Sequence, residues 1–205
     1  MPVQFLTTAA PSSTSYADSS NPPALAGKAG EAVVTELHGK WYTAAYRGRV
    51  FLGQTAAAGT IIPISTTTTF TFLMYNPLGS GVNVELISAD VAATTTTWVA
   101  SPIQLGLLSG ATLPTTVTTT YTSICSLIGG SGVSQVKLYG SAVSTAMANF
   151  FPLFSVSATS GFAPQLHYDF DGKIILAPGS MAALVGTAAQ SQATANAFTW
   201  AEFPQ

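Results

Sequence analysis

Catalysis and metal binding need ionisable groups that converge, and the chain offers one compact run of them, His167-Tyr168-Asp169-Phe170-Asp171-Gly172. In an extended strand alternate side chains share a face, so His167, Asp169 and Asp171 would project together at about 6–7 Å spacing. An imidazole beside two carboxylates suits a cation. The same residues also read as a polar strand end running into a turn at Asp171-Gly172, with Tyr168 and Phe170 packed on the other side. The Asp-x-Asp-Gly fragment lacks the later oxygen ligands and the distal Glu of a calcium loop. The turn is therefore the expectation, and no metal or cofactor is assigned.

Other constellations are thinner still. His38 and His167 are the two histidines and lie in different segments. No Gly-x-Ser-x-Gly elbow sits between a strand and a helix, so hydrolase chemistry is not expected. Gly129 to Gly132 is not followed by Lys-Ser or Lys-Thr and does not form a phosphate loop. Cys125 is the single cysteine, which excludes an internal disulfide. Among Tyr121, Ile124, Leu127 and Ile128 it reads as a small buried hydrophobe. Lys40, Arg47 and Arg49, interleaved with Trp41, Tyr42 and Tyr46, form the one basic and aromatic cluster. Such a mixture can hold nucleic acid, but three cations with no further basic stripe are too few. These six residues are expected to touch a partner protein.

The elements that would position such groups are set by an unusual composition. Charged residues make up 7% of the 205 residues, against about 25% in a typical soluble domain, and Thr, Ser, Gly and Ala fill the difference. The charges are also unevenly placed. Asp18, Lys28, Glu31, Glu36, Lys40, Arg47 and Arg49 put half of them before residue 50, and Lys137 is the single charge from Val91 to Tyr168. Dispersed charge ordinarily keeps a free monomer soluble, so the body is expected to be covered by other subunits. A net charge of −2 gives no pull toward nucleic acid or an anionic membrane. The best apolar run, Ile174 to Ala189, is broken by Pro178-Gly179 and does not read as a membrane helix. With Lys28 as the first basic residue, no secretory leader is expected.

Along the chain, residues 1–30 are rich in Pro, Ser, Ala and Thr and read equally as a disordered tail or as an extended arm that orders on a neighbour. Val34, Leu37, Trp41 and Ala45 recur at helical spacing, with Glu31 near the start and Gly48 near the end. The domain reading is an arm with one short helix over 1–49 and a β-sandwich body over 50–205. In the body, Phe70, Phe72 and Met74 alternate with Thr71, Leu73 and Tyr75. Asn76 to Gly81 is a dense turn signal. Val82, Val84 and Leu86 should face inward with Glu85 outward. Trp98 to Leu107 carries Pro102, which favours an edge or a bulge. Lys173 to Gly186 reads as strand, turn at Pro178-Gly179, and strand. In the last strand, Ala197 to Phe203, Phe198, Trp200 and Glu202 share a face. Many short strands with Gly and Pro turns indicate a sandwich or barrel.

Several segments resemble one family of tailed-bacteriophage virion proteins. They are Tyr75-Asn76-Pro77-Leu78-Gly79-Ser80-Gly81-Val82-Asn83-Val84, then Asp169-Phe170-Asp171-Gly172-Lys173-Ile174-Ile175-Leu176-Ala177-Pro178-Gly179, and the closing Phe198-Thr199-Trp200-Ala201-Glu202-Phe203-Pro204. Glu36-Leu37-His38-Gly39-Lys40-Trp41-Tyr42 and Tyr46-Arg47-Gly48-Arg49 belong to the same resemblance, which spans roughly residues 33–205. It implies an all-β, jelly-roll-like sandwich on a phage head surface, a capsid decoration or cement protein without catalytic residues. The expected partners are copies of itself, as a homotrimer, and the major capsid protein or other virion subunits. A second expectation, from a different class, is a receptor- or glycan-binding head fibre or spike, with Trp98, Tyr121 or Tyr139 stacking on sugars if exposed.

Overall fold

A computed structural model describes residues 39–94, 98–110, 114–156 and 165–205. The expected arm over 1–30, the helical positions Val34 and Leu37, and Thr95 to Thr97 of one threonine run lie outside the described residues. In chain order the elements are helix α1 (Tyr42–Tyr46), β1 (Val50–Gln54), β2 (Thr60–Ile61), β3 (Thr69–Phe70), β4 (Leu73–Asn76), β5 (Val82–Ala93), β6 (Ser101–Leu108) and β7 (Thr119–Tyr121). They continue as β8 (Ser123–Cys125), β9 (Lys137–Gly140), β10 (Ala142–Val143), β11 (Asn149–Val156), β12 (Gln165–Leu176), β13 (Ser180–Gly186) and β14 (Ala193–Pro204). The protein is all-β with one short helix.

Sheet I has the order β12-β5-β14-β1-β8, with β2 beside β14, and sheet II the order β11-β6-β13-β4-β9-β7. The eight principal strands are nested: β1 pairs with β14, β4 with β13, β5 with β12 and β6 with β11, all antiparallel. First meets last and fourth meets fifth, as in a long hairpin rolled around a core. That is the jelly-roll arrangement of two facing sheets. The reading of Lys173 to Gly186 as strand, turn and strand matches the end of β12, the turn at Pro178-Gly179 and β13. β12 lies in sheet I and β13 in sheet II, so the turn at Pro178-Gly179 carries the chain from one sheet to the other.

Asn76 ties this crossing to a second one. Its buried Nδ2 donates to the Val82 carbonyl across the 77–81 turn and to the Leu176 carbonyl, both at 2.9 Å, and its own carbonyl accepts the Gly179 N–H at 2.8 Å. Both sheet-crossing turns therefore hang on one side chain.

Period-two alternation holds in β5 up to one slip. Val84 and Leu86 face the core and so do Ala89 and Val91, because pairing with β14 skips Ile87 between Leu86 and Ser88. This bulge reverses parity and turns Ile87 to the outer face. Pro102 behaves differently from expectation. β6 is an interior strand between β11 and β13, and Pro102 stands at its start, beyond the last β13 pairing at Ile103. There its missing N–H breaks no ladder bond with β13.

The core between the sheets includes Phe72, Leu86, Leu105, Leu138, Phe198 and Trp200, with Phe72 stacked on Phe198 at 5.1 Å. Gly53 allows the close approach at its centre. A Cβ there would strike the Leu138 side chain and lie 3.1 Å from the Trp200 ring. Helix α1 is brief because Gly48, at φ +67°, ends it and turns the chain into β1. Trp41, Ala44 and Ala45 pack against Val50, Ile87 and Ala201, and one compact unit runs from Trp41 to Gln205. Residues 41–49 thus belong with the sandwich and not with an arm ending at 49. No helix among the described residues is long and apolar enough to cross a membrane.

Candidate interaction surfaces

The residues singled out for chemistry do not converge. His167 on β12 faces Asp90 on β5 across the ladder, with Nδ1 and Oδ1 2.7 Å apart. Asp169 Oδ1 instead accepts the Asp171 N–H at 2.8 Å, closing the turn foreseen at Asp171-Gly172. The turn needs its glycine. Gly172 sits at φ +75°, and a Cβ would fall on the Glu85 carboxylate. Among the described residues no group of three or more His, Cys, Asp or Glu side chains is placed to hold a metal ion.

The basic and aromatic cluster divides between two faces. Trp41 is half-buried against the sandwich, and Arg49 is half-buried with its carbonyl accepting the Glu202 N–H at 2.8 Å. Tyr42 and Tyr46, one helical turn apart, stack at 6.0 Å on the exposed side, with Arg47 also exposed. Lys40 is exposed and precedes the compact unit.

Two further surfaces were not singled out from the sequence. The first is the outer face of sheet I. Helix α1 covers one part of it, over Val50, Ile87 and Ala201. Farther along β1 the face is bare. Leu52 and Ile124, opposite each other in the β1–β8 register, are exposed, and so is Ile128, at 83%. With Gly53, Gln54 and Ala197 they line an apolar hollow of about 260 Å³. Fully burying one such side chain is worth about 1.5–3 kcal/mol. The sequence signal was present: apolar residues fall on both parities of β1 and β8, the pattern of strands with two faces to cover.

The second is a groove of about 330 Å³ where the chain crosses from β7 to β8 at Thr122. One wall is Thr120 to Ser123 and the other runs from Gly132 to Tyr139. The buried carboxylate of Glu202 anchors the second wall. It accepts hydrogen bonds from Ser134 Oγ, from the Gln135 N–H at 3.0 Å, the Val136 N–H at 3.4 Å and Trp200 Nε1 at 3.0 Å. A buried carboxylate is tolerated only with such partners, so the last strand and this wall are fastened together. Burial raises the Tyr121 phenol above its ordinary pKa, and burial with Tyr75 nearby raises Tyr139.

The fold is a jelly-roll sandwich whose surface carries an apolar hollow and a hydroxyl-rich groove. No family model, no curated protein and no solved structure matches the chain.

Proposed function

We propose that the protein is a structural subunit of a tailed-phage particle, a capsid decoration or cement protein. It associates with copies of itself as a homotrimer and with the major capsid protein or neighbouring virion subunits. The observation that carries this reading is the half-covered outer face of sheet I. Leu52, Ile124 and Ile128 stand exposed beside a part of the same face that the chain covers for itself. An apolar hollow without a charged lining residue suits subunit contact. The charge-poor composition and the resemblance over residues 33–205 supply the kind of assembly.

The N-terminal segment reaches across a neighbouring subunit and multiplies weak contacts into a firm one. The measurement is the mass of the purified protein in solution, followed by binding to empty capsid shells. Ile124→Lys should leave the fold intact and weaken both trimer and shell binding. A monomer in solution whose shell binding is indifferent to this substitution overturns the face as the contact. Deleting residues 1–30 should weaken shell binding, and undiminished binding overturns the role of the arm.

The expectation that Trp98 stacks on sugar is not supported, because Trp98 is buried in the core.

A further inference from the structure

The geometry points to the groove between the β7–β8 corner and the 132–139 wall as a binding site for a neutral carbohydrate. Its volume of about 330 Å³ falls within the ~300–1,000 Å³ of small-molecule sites. The lining is rich in hydroxyls, with Thr120, Tyr121, Thr122, Ser123, Ser134 and Tyr139 all contributing. Ser134 is engaged by Glu202, and Tyr121 makes only a long contact, 3.5 Å, to the Thr71 carbonyl. The side chains of Thr120, Thr122, Ser123 and Tyr139 carry no hydrogen bond among the described residues. Thr122 and Ser123, at the crossing itself, therefore offer donors and acceptors without protein partners, whereas the β7–β9 register turns Thr120 and Tyr139 to the opposite face from Tyr121 and Leu138.

The chemistry of the lining selects the ligand class. A wholly apolar ligand would strip water from these hydroxyls without replacing its hydrogen bonds, at about 1–3 kcal/mol for each group left unpaired. A phosphate or other strong anion would find Lys137 as the single cation of the lining, and it is exposed. A saccharide matches both halves of the surface. Its hydroxyls pair with the uncharged side chains, and its C–H faces lie on Val133, the exposed apolar residue of the lining. The Glu202 anchor fixes one wall before any ligand arrives, which lowers the ordering cost of binding. This site does not depend on the capsid reading and is separate from the apolar hollow.

The test uses the full-length protein and saturation-transfer NMR with glucose, galactose, N-acetylglucosamine and maltotetraose, with sialyllactose and inorganic phosphate as charged comparators. At least one neutral saccharide should give a signal at millimolar concentration. Ser123→Ala should weaken it about tenfold, and Thr122→Trp, which fills the corner, should abolish it. Lys137→Ala should leave the affinity within about threefold, since each 1.4 kcal/mol is a factor of ten and no charge is paired. If circular dichroism shows Thr122→Trp misfolded, Ser123→Ala carries the test alone. Silence with every neutral saccharide overturns the proposal. So does binding that survives both groove substitutions, or preferential binding of sialyllactose or phosphate that Lys137→Ala removes.

Discussion

The two open sides of the sandwich are closed by different means. On one side the edge strands are β11 and β12, eight and twelve residues long. β12 carries His167, Asp169, Asp171 and Lys173, and β11 carries Pro152 with a register slip at Leu153. Charge, proline and a bulge discourage a further strand from adding to an edge. Beneath them Phe151, Phe154, Tyr168 and Phe170 form an aromatic cluster that seals the gap between the sheets. On the other side the edge strands β7 and β8 are three residues each, and the chain steps between sheets at Thr122. No charged residue lies in either strand. The seal there is polar and buried, Glu202 holding Ser134 to Val136. One side carries charged residues, a proline and a bulge at its edge, and the other presents an apolar hollow and a hydroxyl-rich groove.

The sharpest way to break this comparison is to remove each seal in turn. Phe170→Ala empties a fully buried position under β12 and should cost about 3–5 kcal/mol in urea unfolding. Hydrogen exchange should rise first in β11 and β12. Protection lost equally on both sides would mean that the two seals are not independent. Glu202→Ala leaves several buried donors without an acceptor and should cost about 3 kcal/mol. That corresponds to a fall of about 6–12 °C in Tm for a domain of this size. Faster exchange should centre on residues 132–139, and the groove should lose its shape.

Smaller effects separate surface charge from structure. Asp90→Asn removes the carboxylate that faces His167, whose side chain is 59% exposed. Exposed pairs are worth about 0–1 kcal/mol, so the melting temperature should move by no more than about 4 °C. A larger fall would make the charged edge structural and not merely protective. The mildest test is alkaline. Tyr121 and Tyr139 have raised pKa values in the folded state. The unfolded chain therefore releases these protons first, near pH 10. Their contribution is present in full below that pH and is lost as pH rises through the folded values. Tyr139→Phe should flatten the decline in stability measured from about pH 9 to 11.

Much of the fold was legible in the sequence because its signals are local. Alternation placed Val84 and Leu86 inward, and it put Phe198, Trp200 and Glu202 on one buried face. Gly and Pro marked the turns at 77–81 and 178–179. Alternation could not register the slip at Ile87, since a bulge is defined by the partner strand. Nor could it divide Trp41 from Tyr42, because which side of a short helix meets the sheet depends on a sheet assembled elsewhere. The basic and aromatic cluster was legible as a group of residue types. The bare part of the sheet face and the groove were not, since each draws on strands far apart in the chain.

The sequence by itself determined an all-β protein poor in charge, with half its charges before residue 50. Those properties follow from residue type and from a period of two. The tertiary structure decided which strands became neighbours. Asn76 meets Leu176 from 100 residues away, and Glu202 reaches Ser134 from 68. No local pattern encodes such distances, because pairing is chosen by the fit of whole faces. The same choice made a turn at Pro178-Gly179 into a passage between sheets, and it left Leu52 and Ile124 exposed while covering Val50.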